Sequence, residues 1–299
     1  MRPREDQRAG AIRPVPGDLS PLRIDEQLVR RMLVSFLREE TAKAGLRRAV
    51  VGLSGGVDSS AVAALAAEAF RPERVLAVHT PYQWSASSSL DDAKGLAEKL
   101  GIGFKVVPIT AQVDAYYGGE GGVAAFAGAA VDKVRLGNKM ARERKSIEFD
   151  LAWPDGAVLG TSNKTELLLG YGTWFGDMAS SLNPVGDLYK TQLRELAIAI
   201  GVPERIVRKV PTAELWVGQT DEGELGFTYA QADLILYHLV DRRLRPGELV
   251  DAGFDAALVG RIREMVRRSH YKRVTPIIAK VSLRTVGHDF LYPRDWEAD

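Results

Sequence analysis

The segment from Ala49 to Phe70 constrains this chain more than any other. An apolar run, Ala49-Val50-Val51-Gly52-Leu53, ends in Ser54-Gly55-Gly56 and leads into the Ala-rich stretch Ser60–Phe70, which contains neither Pro nor Gly. That order predicts a buried strand, a glycine turn and a helix. Arg74–Thr80 (RVLAVHT), Phe104–Ile109 (FKVVPI) and Ala157–Thr161 (AVLGT) are further strand candidates. Leu90–Leu100, closed by Gly101, and Lys164–Leu169 are helix candidates between and after them. Strands rich in Val, Leu and Ala that alternate with helices argue for an α/β fold. The expected form is a doubly wound, Rossmann-like parallel sheet flanked by helices, with ligands at the carboxyl ends of the strands.

Upstream, Leu28, Val29, Met32, Leu33, Phe36 and Leu37 recur at helical spacing after Ile24, so an amphipathic helix opens the folded part. Residues 1–21, rich in Arg and Pro without apolar periodicity, are expected to be a flexible arm; 22–285 a single domain; and 286–299 a tail. The Gly-rich tract Gly118–Gly128 and the stretch Trp216–Gly226 are expected to be mobile loops.

Composition removes whole classes of function. Forty Lys and Arg against thirty-nine Asp and Glu leave a net charge of +1, without the bulk field that drives nonspecific binding to nucleic acid or membrane surfaces. No window has the length of a membrane span, and Met1–Asp6 carries no apolar core of a signal peptide, so a cytoplasmic protein is expected. The absence of cysteine excludes disulfides, thiolate metal sites and a cysteine nucleophile in this chain. Four histidines, at 79, 238, 270 and 288, without an H-E-x-x-H pattern, argue against zinc, and His79 reads as structural.

Ser54-Gly55-Gly56-Val57-Asp58-Ser59 is suited to phosphate. Glycines bring backbone N–H groups close to an anion, serine hydroxyls add donors, and the following helix adds its N-terminal dipole. It is neither G-x-x-x-x-G-K-[ST] nor G-x-G-x-x-G. Asp58 is repulsive inside an anion site unless a cation lies between, which implies Mg²⁺.

SGGVDSS after a hydrophobic strand resembles the loop of the N-type ATP pyrophosphatases, which cleave ATP between the α and β phosphates. Gly160-Thr161-Ser162-Asn163-Lys164-Thr165-Glu166, Asn183-Pro184, Leu188-Tyr189-Lys190-Thr191 and Val210–Leu215 then resemble the NAD synthetases, as does Asn138–Arg144. The resemblance spans about Ile24 to Lys280 and implies the adenine nucleotide alpha hydrolase-like form of the fold.

By that resemblance, Gly52, Leu53, Ser54, Gly55, Gly56, Val57, Asp58 and Ser59 hold ATP, with Thr161, Lys190 and Thr212, while Asp58 and Glu166 hold magnesium. Arg142 matches a contact to deamido-NAD, and Tyr271-Lys272-Arg273 stands where many members carry His-Lys-Arg. Alone, Glu166 and Lys190 would read as solvated helix charges, Thr161 and Thr212 as turn or cap residues, and the other cations of Lys139–Lys145 equally as a basic helix face. Two departures concern the ring pocket: Trp174 replaces a Lys and Ser181 an Asp. Trp174 is a candidate to stack on the substrate's pyridine ring, and Asp177 to position or deprotonate ammonium.

The expected reaction is amidation of deamido-NAD by ammonia. The carboxylate attacks the α phosphate of ATP, Mg²⁺ and Lys190 absorb charge on departing pyrophosphate, and ammonia displaces AMP. Without cysteine, and without length for a glutaminase module, free ammonia is the expected donor. The resemblance also implies a homodimer. Competing readings are another ATP pyrophosphatase, of the GMP synthetase or tRNA-modifying kind, and an ATP-binding module without turnover.

Overall fold

The computed structural model describes residues 14–118, 132–216, 218–274 and 276–286. Most of the expected arm, the Gly-rich tract beyond Gly118 and the tail from 287 lie outside the described residues. The first helix, α1 (Glu26–Lys43), starts where the Asp25 carboxylate accepts the Leu28 N–H at 2.8 Å. Its expected apolar stripe divides: Leu37 is buried in the core with Val29, Leu33 and Phe36 packed against it, whereas Leu28 and Met32 face outward.

β1 (Arg48–Gly52), β2 (Val75–His79), β3 (Gly103–Val106) and β4 (Gly156–Leu159) form one parallel sheet in the order β3-β2-β1-β4. Val50 pairs with Leu76 on one side and Val158 on the other, so β1 is central. α2 (Val57–Ala69) follows β1, α3 (Ser87–Leu100) follows β2, and α4 (Thr110–Tyr117) and α5 (Lys133–Ala152) precede β4. The chain therefore travels from β1 outward to β3, then returns to the other side of β1. Loops leaving β1 and β4 diverge at that reversal and open a crevice at the strand ends.

α2 explains its own composition. It lies between β1 and the helices α1 and α7 (Lys190–Ala199), and Val57 and every residue from Ser59 to Ala66 are buried. A helix enclosed on nearly all sides needs no polar face, and alanine permits close approach to its neighbours. α5 covers the sheet over β1 and β4. Beyond β4, the Ser181 hydroxyl accepts the Val158 N–H at 3.1 Å and Gly160 N–H donates to Leu182 O at 2.7 Å. Leu182 thus extends the sheet edge by one parallel bridge to Leu159.

After β4 come α6 (Lys164–Leu169), α7, α8 (Glu204–Val207), α9 (Asp221–Leu225), α10 (Tyr229–Leu236), α11 (Pro246–Asp251) and α12 (Ala256–Arg268). α6, α10 and α12 enclose a second core around Tyr189, Tyr229, Leu236 and Ile262. The stretch expected to be a mobile loop, Trp216–Gly226, instead contains α9, with Asp221 and Leu225 buried. Acidic residues in its first turn suit the helix N-terminus, and Gly226, at φ +74°, ends it in a left-handed cap.

No described helix is long and apolar enough to cross a membrane.

Candidate active site

The crevice between the ends of β1 and β4 opens into a cavity of about 480 Å³. Its floor is the predicted phosphate loop. Gly55 adopts φ +83°, and a Cβ there would run into the Ser89 carbonyl, so both backbone angle and space require glycine. The serines hold the turn: Ser54 Oγ accepts from Gly56 N–H at 3.2 Å, and Ser59 Oγ accepts from Ser54 N–H at 3.2 Å.

Asp58 enters from the first turn of α2, Glu166 from the first turn of α6, and Lys190 from the start of α7. Lys190 is 2% exposed and forms ion pairs with Asp58 and, at 3.2 Å, with Glu166. Asn163, fully buried, ties the carboxylates together. Its Nδ2 donates to Asp58 Oδ1 at 2.9 Å, its Oδ1 accepts from Glu166 N–H at 3.0 Å, and its own N–H donates to Glu166 Oε2 at 3.2 Å. The last two bonds are a capping box, whose signal is Asn followed three residues later by Glu within GTSNKTE. Asn163 is thus a site residue that sequence reasoning passed over.

Three carboxylates surround this one ammonium. Burial pushes the Glu166 carboxyl up to about 8; Lys190 opposes the shift, and Asp58 and Asp221 add to it. Burial works against the charge on Lys190, but Asp58 and Glu166 outweigh it and hold its pKa above the ordinary lysine value. The Tyr229 ring lies 4.9 Å from Lys190 Nζ, and its hydroxyl donates to Asp221 Oδ2 at 2.9 Å. Tyr171 donates to Glu224 at 2.7 Å and to Asp221 at 3.2 Å. Burial, reinforced by these acids, keeps both tyrosines above their ordinary pKa and therefore as donors.

The opposite wall belongs to the end of β2, the start of α3, α5 and the segment before α9. Ser89 donates to Glu214 and accepts from Lys209 Nζ at 2.7 Å, and Arg144 Nε donates to Thr80 O at 3.1 Å. His79 is buried with Nδ1 2.8 Å from Leu53 O; burial lowers its pKa, so a neutral ring donating from Nδ1 stitches β2 to β1. That is a structural role.

Among the predicted residues, Gly52, Leu53, Ser54, Gly56, Val57 and Ser59 line the cavity with Asp58, Glu166 and Lys190. Thr161, Thr212, Asp177 and Lys272 line it too, whereas Gly55 stands behind the wall. Asp177 is open to water through the cavity, yet crowding by surrounding protein raises its pKa against the Thr173 N–H bond of 2.7 Å. Lys272 donates to the carbonyls of Gly170 and Gly172 at 2.8 and 2.7 Å, closing the end of α6.

Arg142, Trp174 and Tyr271 come together outside the cavity wall. Arg142 is exposed and donates to Trp174 O at 3.3 Å. The Trp174 ring stacks on Phe175 at 4.4 Å and meets Tyr271 edge-on at 5.4 Å. Of the basic helix face, Lys139 pairs with Glu143 at 2.6 Å, while Arg144 and Lys145 turn into the cavity.

The family model described as NAD synthase matches residues 29–276. The chain belongs to the NAD synthase family. It is 54% identical over 279 residues to a relative named NH(3)-dependent NAD(+) synthetase from Trichlorobacter lovleyi, covering 93% of this chain and 99% of that protein. A solved structure of NMN synthetase from Francisella tularensis shares 30% identity at TM-score 0.74, covering 86% of this chain and 99% of its own. An NH3-dependent NAD synthetase from Campylobacter jejuni, solved with nitrate, also shares 30% identity, at TM-score 0.70, covering 86% and 100%. These matches cover most of the chain, and the Rossmann-like parallel sheet is the fold of the family.

Proposed function

We propose that this family member converts deamido-NAD to NAD with ammonia, consuming ATP and releasing AMP and pyrophosphate. The observation that carries this reading is the buried Lys190, joined to Asp58 and Glu166 at the mouth of a phosphate-holding loop. A carboxylate cannot expel oxide, so it must first be adenylated. Its oxygen attacks the α phosphate and pyrophosphate departs over the loop, where the α2 dipole and the Ser54 hydroxyl meet its charge. Lys190 supplies positive charge on the leaving-group side. Thr161, just after β4, and Thr212, in the segment before α9, add polar contacts to ATP. Arg142 and Lys272 hold the dinucleotide's phosphates, with Trp174 and Tyr271 against the ring.

The donor set fits magnesium. Two carboxylates tied to one another by Asn163 and Lys190 match an ion that takes one or two carboxylates and fills its shell with phosphate oxygens and water. Asp58 and Glu166 would hold it, and when bound it neutralises phosphate charge. Asp177 faces the cavity and receives the ammonium. The exposed Leu28 and Met32 on α1 support a homodimer, and residues 22–285 act as one catalytic unit in the cytoplasm.

The decisive experiment incubates the protein with ATP, magnesium and deamido-NAD, supplying ammonium or glutamine, and follows NAD, AMP and pyrophosphate together. Equal yields with ammonium and none with glutamine are expected. Because one solved neighbour is an NMN synthetase, nicotinate mononucleotide is the competing acceptor; faster turnover on it would replace deamido-NAD in this reading. ATP binding without cleavage would leave only a nucleotide-binding module.

A further inference from the structure

The inner face of α5 carries a charged pair that none of these roles uses. Asn138, Ala141, Lys145 and Glu148 recur at helical spacing and all reach the cavity wall. Lys145 and Glu148 are 5% and 4% exposed, and Lys145 Nζ donates to Glu148 Oε2 at 2.6 Å. Apolar side chains of similar volume would hold α5 on β1 as well as this pair or better, because desolvating two charges is costly. The pair also imposes a condition on its neighbour. A Cβ at Gly52 would collide with the Glu148 carboxyl, so residue 52 is glycine partly to admit this acid to the root of the phosphate loop.

The cavity's carboxylates differ in how many oxygens are engaged. Asp58, Glu166 and Asp221 have both oxygens in hydrogen bonds. Glu148 has Oε2 on Lys145, and no donor among the described residues meets Oε1, which faces Gly52. Asp177 accepts from Thr173 N–H at Oδ1, and its Oδ2 lies beside Gly172. Gly176 packs on Ala141, so Asp177 meets α5 one turn before Lys145, and Lys145 and Arg144 bear electrostatically on this acid. Glu148 and Asp221 are the two cavity carboxylates more than nine-tenths buried, and of these Glu148 alone keeps an oxygen free.

We infer that Glu148 is a further ammonium-binding residue, its free Oε1 taking an N–H of the incoming ammonium at the cavity floor, opposite Asp177. This rests on the amidation reading above. In the step it serves, ammonium gives one proton to a carboxylate of this pair. The freed lone pair forms the bond to the acyl carbon, the bond from that carbon to the AMP oxygen breaks with its electrons leaving on AMP, and the second proton passes to water.

The test separates the two half-reactions in Glu148→Gln, with Glu148→Asp as the conservative variant. Exchange of labelled pyrophosphate into ATP, dependent on deamido-NAD, reports adenylation without ammonia. Glu148→Gln is expected to keep that exchange within about threefold of wild type while KM for ammonium rises about tenfold or more and KM for ATP and deamido-NAD stays within about twofold. Glu148→Asp should recover part of the ammonium affinity. Hydroxylamine, largely uncharged at pH 7, need not surrender a proton first, so Glu148→Gln should use it nearly as well as wild type does. An unchanged ammonium KM overturns the assignment. So does pyrophosphate exchange that falls in step with amidation, because that is the signature of a pair that only holds α5 in place. A wild-type protein that makes no NAD from ammonium fails the underlying reading, whatever the variants do.

Discussion

The two ends of the cavity are held in different ways. Asp58, Glu166 and Lys190 stand at helix starts, two of them fed directly by adjacent strands, and every carboxylate oxygen there has a partner within the protein. Arg142, Trp174 and Tyr271 form a looser group, in which Arg142 is exposed and Phe175 beside it adopts φ +58°. The first end is fixed by sheet geometry. The second joins the exposed Arg142 of α5 to Trp174 and Tyr271, which lie outside the sheet and the helices that follow its strands directly. On the proposed reading, the adenylating end is the rigid one and the acceptor end the adaptable one.

The largest effect should come from breaking the rigid end. Lys190→Met is expected to reduce kcat by about a thousandfold, as loss of a preorganised charge at a leaving group does. It should also lower stability by about 3–5 kcal/mol, because two part-buried carboxylates lose their counterion. Pyrophosphate exchange and denaturant unfolding measure the two separately, and near-normal exchange would remove Lys190 from the chemistry.

At the loose end, Arg142→Ala should raise KM for deamido-NAD about tenfold with KM for ATP and the melting temperature unchanged. A parallel rise in KM for ATP would show that the ends are not independent. Trp174→Ala and Trp174→Lys sharpen the point, since equal deamido-NAD affinity in both would exclude ring stacking.

Tyr229→Phe keeps the ring under Lys190 but leaves Asp221 Oδ2 without its donor while Tyr171 still meets Oδ1, for an expected loss of about 1–3 kcal/mol, read by chemical denaturation. The smallest effect is a change of slope. The Glu166 pKa is raised from 4.5 in the unfolded chain to about 8 in the fold, so between those values the native state binds more protons than the unfolded one. Its contribution to metal-free stability is present below about 4.5 and is lost as pH rises through about 8. Glu166→Gln should flatten that decline, so its melting temperature should gain on wild type from pH 5 to pH 9; parallel curves would place the shared proton elsewhere.

The strands and the helices beside them were legible because burial on both faces of a parallel sheet demands continuous Val, Leu and Ala, and such runs are visible without coordinates. β4 and α6 fell within two residues of expectation for that reason. Where reasoning from composition failed, the cause was solvation. Trp216–Gly226 looks like a loop because it is acidic, but its Asp221 is buried under two tyrosine hydroxyls that the sequence places 50 and 8 residues away. Lys145 and Glu148 look like one more pair on a wet helix, and only the packing of α5 on β1 shows which way they point. Arg142, three residues before Lys145, was favoured by its motif and faces outward.

The reversal of strand order between β1 and β4 also bears on how the protein is made. Asp58 and its ammonium partner are 132 residues apart, and the carboxylate that completes the set follows the last strand to join the sheet. A ribosome-bound chain that has exposed only β1, α2 and β2 already displays the phosphate loop but has neither Glu166 nor Lys190 to complete it. On the proposed reading, nucleotide capture waits until α7 has emerged and docked, so that tight nucleotide binding reports finished folding.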